Sequence, residues 1–136
     1  MSELSLDFEK LILFDAGKNG VSVDTTLKLS ENEISFQSKI DTGSSFCIFE
    51  RKHGEALDLE IEEGMFQNVG TATGIFKVFG FRLTLEVESF QFDSLVYFAE
   101  NENFNRNILG RHGFLELVKL GLIDYEGKLY LSPYSK

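Results

Sequence analysis

The sequence has one cysteine, one proline and no tryptophan among its 136 residues. A lone Cys47 cannot close a disulfide within the chain, which excludes the small extracellular domains that disulfides hold together. No run approaches about 18 consecutive apolar residues, so a membrane-spanning helix is also excluded. The first ten residues carry acidic side chains where a secretory signal would be basic and then apolar. We therefore expect a cytoplasmic protein, although a cleaved precursor would leave the same sequence.

Positive charge is scarce, because 13 Lys and Arg face 22 Asp and Glu, which gives a formal charge of −9. This balance argues against nucleic acid or an anionic membrane as the main partner. Hydrophobic residues make up 43% of the chain and include 14 Phe, enough to form a core and to exclude general disorder. The length fits one domain, and no linker, low-complexity tract or repeat divides it.

A two-residue hydrophobic period dominates the sequence and indicates β-strands. Strand-like segments occur at 11–14, 21–29, 34–40, 57–61, 73–78, 81–87 and 95–98. Asn19-Gly20 predicts a hairpin between the first two segments, because both residues tolerate positive φ. Glu126-Gly127 predicts a second hairpin near the C-terminus, between residues 122–125 and 128–131.

One segment has a helical period. Residues 111–120 place Phe114, Leu117 and Val118 near one face, and Gly121 suits the left-handed conformation that ends a helix. Many short strands with one short C-terminal helix predict an all-β fold, as a small closed or sandwiched β domain.

The sharpest local motif is a strand that ends on a carboxylate, Asp41, followed at once by Thr42 and Gly43. Gly43 allows a tight turn, which can direct N–H groups and the hydroxyl of Thr42 or Ser44 at the carboxylate and favour its ionised form. Two such carboxyls side by side share a proton, so that one acts as general base on a water and the other as general acid. These residue types are equally typical of a plain turn.

A second motif is Asn-Ile-Leu-Gly-Arg at residues 107–111, which by itself indicates a buried strand stopped by a glycine. Together with Ile-Asp-Thr-Gly-Ser at residues 40–44, it resembles the retroviral-type (retropepsin-like) aspartic proteases, the single-lobe relatives of pepsin. In that family a hydrophobic strand delivers Asp-Thr/Ser-Gly, and a later hydrophobic-hydrophobic-Gly strand runs behind the catalytic loop. The resemblance covers roughly residues 25–132, and residues 122–131 look like the closing hairpin of bacterial members.

The resemblance implies a closed acid-protease-type β-barrel with one lobe per chain, and one retropepsin-like domain over residues 1–136. Residues 1–24 match no motif and could form an N-terminal extension or a dimer arm. The implied catalytic residues are Asp41, Thr42 and Gly43. The implied structural support is the set Ile108, Leu109, Gly110 and Arg111.

Residues 69–74, Val-Gly-Thr-Ala-Thr-Gly, stand where the family has its flap, the hairpin that closes over substrate. Small residues suit a flap tip, because backbone must approach a bound peptide there, but they are also typical of any tight turn. The implied substrate-binding residues are Ser44, Thr71, Ala72, Thr73 and Gly74. The chain departs from the family in having Ser44 where many retroviral enzymes have Ala, and it lacks the Asp that often accompanies Arg111, whose partner is therefore open.

The mechanism needs two carboxylates, and the only other Asp-X-Gly is at Asp15. Its middle residue, Ala16, lacks a hydroxyl, and Asp15 lies too close to Asp41 in sequence for a lobe around each. The resemblance therefore implies a homodimer, with Asp41 and its symmetry mate binding the attacking water, Thr42 locking the two loops together and Gly43 offering its N–H. The implied function is an aspartic endopeptidase acting on peptide or protein, without a cofactor or metal.

Other interpretations stay open. The chain could be a catalytically inactive protease-fold module for peptide binding or dimerisation. It could also be an unrelated β domain with a chance Asp-Thr-Gly, an interpretation that fails if residues 108–110 pack behind that loop. Cys47 with His53 or His112 could in principle pair as nucleophile and base, but no flanking sequence supports this. A zinc site would need more His and Cys ligands at regular spacing.

Overall fold

The computed structural model describes residues 2–134, so both ends of the predicted domain 1–136 lie just outside it. The strands are β1 (Lys10–Leu13), β2 (Ser22–Leu29), β3 (Asn32–Ile40), β4 (Ile48–Phe49), β5 (Met65–Thr71), β6 (Gly74–Val87), β7 (Phe90–Ala99), β8 (Ile108–Leu109), β9 (Val118–Ile123) and β10 (Lys128–Pro133). The one α-helix within the described range is α1 (Arg51–Ala56). These elements confirm the prediction of a mostly β protein. No helix in residues 2–134 is both long and apolar enough to cross a membrane.

The strands form two sheets. The larger sheet has seven strands in the order β2-β3-β8-β4-β7-β6-β5, and the smaller sheet has the order β1-β10-β9. Strand β6 is 14 residues long and pairs with β2 as well as with β5 and β7. The pairings of the larger sheet therefore form a circuit that runs from β2 through β3, β8, β4, β7 and β6 and back to β2.

The core lies between the inner faces of these sheets. Along β2, Val23 and Leu27 alternate with more exposed residues, and Leu27 faces the buried Leu85 of β6. The smaller sheet contributes Ile12 and Leu129 to the same cluster. Each fully buried side chain of this size contributes about 1.5–3 kcal/mol. The alternation seen in the sequence is thus used to bury one face of each sheet.

Most of the strand predictions are confirmed. The segments 34–40 and 95–98 lie in β3 and β7, and the segment 21–29 corresponds to β2, which begins one residue later. The segments 73–78 and 81–87 merge into the single strand β6, with Gly80 inside it because the ring of Tyr97 packs closely over that position.

The helix predicted over residues 111–120 is wrong. Leu115–Leu117 forms a single 3-10 turn, and β9 begins at Val118, so Gly121 lies inside a strand. Phe114 is fully buried just before the turn. The apolar spacing that imitates a helix is divided between a turn and a strand, because a few apolar residues over ten positions do not distinguish these structures.

The strand predicted over residues 57–61 is also wrong. After α1 the chain turns through Asp58, whose φ is +66°, and enters a 3-10 turn at Ile61–Glu63. Leu57 and Ile61 are buried at the two ends of this segment, which produces the alternating pattern without a strand. The six residues of α1 span less than two turns, too few for a helical period to show in the sequence.

One predicted hairpin is confirmed and the other is wrong. Strands β9 and β10 form the C-terminal hairpin, and Gly127 in its turn has a φ of +64°. Gly20 also has a positive φ, +79°, but β1 pairs with β10 and not with β2. The left-handed conformation is therefore present at Gly20 but not at Asn19, and the predicted strand partner was wrong. Because Ile12 of β1 belongs to the core, residues 10–13 are part of the domain.

Candidate active site

Asp41 follows the last residue of β3 and begins a tight turn. Its backbone N–H donates to the carbonyl of Leu109 at 2.9 Å, which fixes the start of the turn against β8. Its Oδ1 accepts a hydrogen bond of 2.9 Å from the Gly43 N–H, and its carbonyl accepts one of 3.1 Å from the Ser44 N–H. The half-buried carboxylate is therefore held in one direction by the backbone of its own loop.

Strand β8 runs behind this loop. It is parallel to β3, with Leu109 beside Ile40. Beyond β8 the Arg111 N–H donates to the carbonyl of Ser44, and the next N–H donates to the carbonyl of Ser45, both at 2.9 Å. The segment predicted as structural support thus lies directly against the Asp41 loop. The exposed Arg111 side chain pairs with no carboxylate among residues 2–134.

Gly110 is the point at which the two segments come closest. A Cβ placed there would lie 2.2 Å from the carbonyl oxygen of Phe46 and 2.7 Å from that of Ser44. Both neighbours are backbone atoms of the loop, which a side chain cannot push aside. Glycine is therefore required at this position by the close approach of two backbones.

The hydroxyls beside Asp41 do not bond to its carboxylate. The Ser44 Oγ donates to the carbonyl of Phe46 at 2.7 Å, which corrects the expectation that this hydroxyl would reach Asp41. The Thr42 side chain is exposed and forms no hydrogen bond with the described part of the chain. Within one copy, the Gly43 N–H therefore donates a hydrogen bond to the Asp41 carboxylate, whereas the hydroxyls of Thr42 and Ser44 do not.

A cavity of about 300 Å³ opens in front of Asp41. The loop from Gly43 to Phe46 forms one wall, and residues Asn68 to Thr71 of β5 form the facing wall. Strand β5 lies at the end of the larger sheet and pairs with β6 only, so its outer edge is unpaired within residues 2–134. The cavity is therefore bounded by a fixed loop on one side and by an exposed hairpin on the other.

The predicted flap is the β5–β6 hairpin. At its tip Thr71 lies opposite Gly74, and the Thr71 hydroxyl donates to the Gly74 carbonyl at 2.9 Å. Ala72 and Thr73 form the exposed turn between them. Thr71 lines the cavity, whereas Ala72, Thr73 and Gly74 lie at the tip and do not. Ser44 also lines the cavity, so two of the five predicted substrate-binding residues share it with Asp41.

Asp41 also lines a second cavity, of about 430 Å³. Asp41, Arg106 and Ile108 line both cavities, which therefore adjoin at these three residues. We call the two together the Asp41 cleft. Arg106 and Lys39 are the basic residues that line it. The sequence analysis missed both, although each lies two positions before a site residue, and residues two apart on extended chain share a face.

Asp15 repeats the local geometry of Asp41. Its Oδ1 accepts a hydrogen bond of 2.9 Å from the Gly17 N–H, and its carbonyl accepts one of 3.1 Å from the Lys18 N–H. Asp15 is exposed and lines neither cavity of the Asp41 cleft. The turn alone is therefore not distinctive, and what sets Asp41 apart is β8 behind it and the cleft in front of it.

The thiol and the two imidazoles do not form a catalytic pair. Cys47 is 0% exposed, and its Sγ lies 3.6 Å from the carbonyl oxygen of His112. The His53 ring stacks on Phe36 with 3.9 Å between the ring centres, and burial lowers its pKa. The His112 Nδ1 lies 3.5 Å from a carboxylate oxygen of Glu116. Neither imidazole is hydrogen-bonded to the thiol in the described chain.

We expect Cys47 to be unreactive in the folded protein. Burial raises the pKa of its thiol from 9.0 to about 12, so the nucleophilic thiolate is absent at neutral and mildly alkaline pH. Treatment with Ellman's reagent should release no chromophore until denaturant is added, and then one equivalent per chain. Rapid labelling of the folded protein would show that the loop around Cys47 opens, in conflict with the packing described above.

No group of three or more His, Cys, Asp or Glu side chains within residues 2–134 is arranged to hold a metal ion. Comparison of the chain with known protein-family models gave no match, and a search of curated proteins found no match either. Function is therefore inferred from the geometry at Asp41.

Proposed function

We propose that the chain is an aspartic endopeptidase of the retroviral type, acting as a homodimer. The observation that carries this proposal is the placement of Asp41, which is held by the Gly43 N–H, backed by β8 and faced by the β5–β6 hairpin across a cavity. Residues 108–110 packed behind the loop favour this function over a chance Asp-Thr-Gly in an unrelated β domain. The pairing circuit of the larger sheet supports the acid-protease-type closed barrel that belongs to the same proposal.

The second carboxylate comes from another copy of the chain. Within one copy the similar turn at Asp15 lies outside the cleft, so it cannot act together with Asp41. A two-fold axis beside the loop would bring Asp41 and its mate together, and two adjacent carboxyls cannot both ionise easily. One then takes a proton from the attacking water while the other donates a proton to the substrate. The exposed Thr42 hydroxyl is available to bond across this axis.

The substrate is an extended peptide lying between the Asp41 loop and the hairpin. Asn68 to Thr71 of β5 line the cavity, and the outer edge of this strand is unpaired within residues 2–134. An extended peptide can hydrogen-bond to such an edge, with alternate side chains pointing into pockets on either side. Gly70, within this stretch, carries no side chain, and no atom lies within 4 Å of the place where its Cβ would be.

We expect specific activity to depend on protein concentration, because cleavage requires two copies. Peptide-library cleavage read by mass spectrometry should fall on dilution in parallel with the dimer fraction found by sedimentation of the same samples. A tandem fusion of two copies should keep its activity on dilution and serves as the control. Cleavage by samples that contain monomer only would overturn the proposal that two copies of the chain each supply one carboxylate. A stable dimer that cleaves nothing from acidic to neutral pH would favour the inactive peptide-binding module instead.

A further inference from the structure

The Asp41 cleft differs in charge from the rest of the chain. Acidic residues outnumber basic ones by 22 to 13 overall. Among the described residues that line the cleft, Asp41 is the only carboxylate, and the two cations are Lys39 and Arg106. Arg106, like Asp41, lines both cavities.

Neither cation is neutralised within the described chain. Arg51 and Arg82 form ion pairs, with Glu62 at 2.6 Å and with Asp93 at 3.7 Å respectively. The exposed side chains of Arg106 and Lys39 form no ion pair and no hydrogen bond with residues 2–134. In a chain rich in carboxylates, two unpaired cations beside one cavity leave a local positive potential that attracts anions.

We propose that the cleft selects peptides that carry an acidic side chain, Asp or Glu, close to the bond over Asp41. Arg106 is the main specificity-determining residue, because a guanidinium binds a carboxylate through two parallel hydrogen bonds. Lys39, in the second cavity, adds a single flexible charge. The cations also offset the repulsion between the peptide carboxylate and Asp41, which would otherwise disfavour an acidic substrate. The inference that the chain cleaves next to an acidic residue rests on the proposed function. The inference that the cleft binds acidic peptides does not.

The test measures binding in the Asp41→Asn background, so that no peptide is consumed. Two fluorescent libraries of short extended peptides differ only in Glu or Gln at the central position, and their affinities are compared by anisotropy. We expect the Glu library to bind about ten-fold more tightly at low salt, with the preference reduced at high salt. Arg106→Gln should remove most of the preference, and Lys39→Gln a smaller part.

Arg82→Gln is the matched control, because Arg82 is also exposed but lines neither cavity of the cleft. It should leave the preference unchanged, whereas Arg106→Glu should reverse it in favour of a central Lys. Equal affinities for the Glu and Gln libraries, absence of binding to both, or a preference that survives Arg106→Gln would each overturn the inference. Cleavage by the wild-type chain without an acidic preference would overturn it while leaving the proposed function intact. If the wild-type chain binds acidic peptides but cleaves none, the proposed function is overturned and the inference about acidic peptides stands.

Discussion

Replacing Asp41 with asparagine is expected to reduce peptide cleavage by at least about a thousand-fold. An amide cannot accept the proton of the attacking water or donate one to the leaving group, and in a homodimer one substitution removes both carboxyls. The amide oxygen can still accept the Gly43 N–H bond of 2.9 Å, so the loop should keep its shape. Dimer content measured by sedimentation and thermal stability measured by circular dichroism should therefore stay close to those of the wild type.

Asp15→Asn is the matched control for this experiment. It removes the same charge from a turn with the same 2.9 Å and 3.1 Å hydrogen bonds, outside the Asp41 cleft. We expect its cleavage rate to remain within about two-fold of the wild type, because it touches no reacting group. If the Asp41→Asn variant still cleaves peptide, Asp41 has no part in the mechanism. The same conclusion follows if Asp41→Asn and Asp15→Asn reduce the cleavage rate equally.

Gly110→Ala is expected to lower the free energy of unfolding by about 3 kcal/mol or more. The new methyl group would lie 2.2 Å from the Phe46 carbonyl oxygen and 2.7 Å from that of Ser44. This steric clash can be relieved only if β8 and the Asp41 loop separate. That separation would stretch the hydrogen bonds between Arg111 and Ser44 and between Leu109 and Asp41. A domain of typical stability, about 5–15 kcal/mol, would lose a large share of it.

Gly70→Ala provides the comparison for this effect. A Cβ at Gly70 meets no atom within 4 Å, so the free energy of unfolding should change by no more than about 0.5 kcal/mol. Urea unfolding of both variants and of the wild type measures the difference directly. Similar values for the two alanine variants would show that the Asp41 loop and β8 separate easily, and the site would then lack its rigid support.

The parts of the site that could be predicted from sequence are those fixed by neighbouring residues. The turn at Asp41 is closed by the backbone N–H of Gly43, two residues later, and the turn at Gly127 depends on a left-handed φ that glycine accepts readily. Local turn chemistry does not identify the site, however, because Asp15 makes the same turn elsewhere. Only the resemblance to a known family linked the loop to residues 108–110.

The errors concern interactions between distant residues or very short elements. The pairing of β1 with β10 joins segments near opposite ends of the chain, and no local signal at Asn19-Gly20 competes with the core contacts of Ile12. Residues 111–120 have apolar side chains at helical spacing, but β10 offers Val118 to Ile123 a strand partner, and sheet pairing overrides the local pattern. The two cations of the cleft could not be predicted from the motifs, because Lys39 and Arg106 lie just outside residues 40–44 and 107–111.

The order of strands in the smaller sheet has a consequence for biosynthesis. Strand β10 lies between β1 and β9, and its Leu129 and Leu131 are buried in the core. Strand β1 is translated long before β10 and has no neighbour in its sheet until Lys128–Pro133 has left the ribosome. Its core residue Ile12 therefore stays without its partner Leu129 until that later segment has been made. During that interval the nascent chain is a natural client for a chaperone that shields apolar segments.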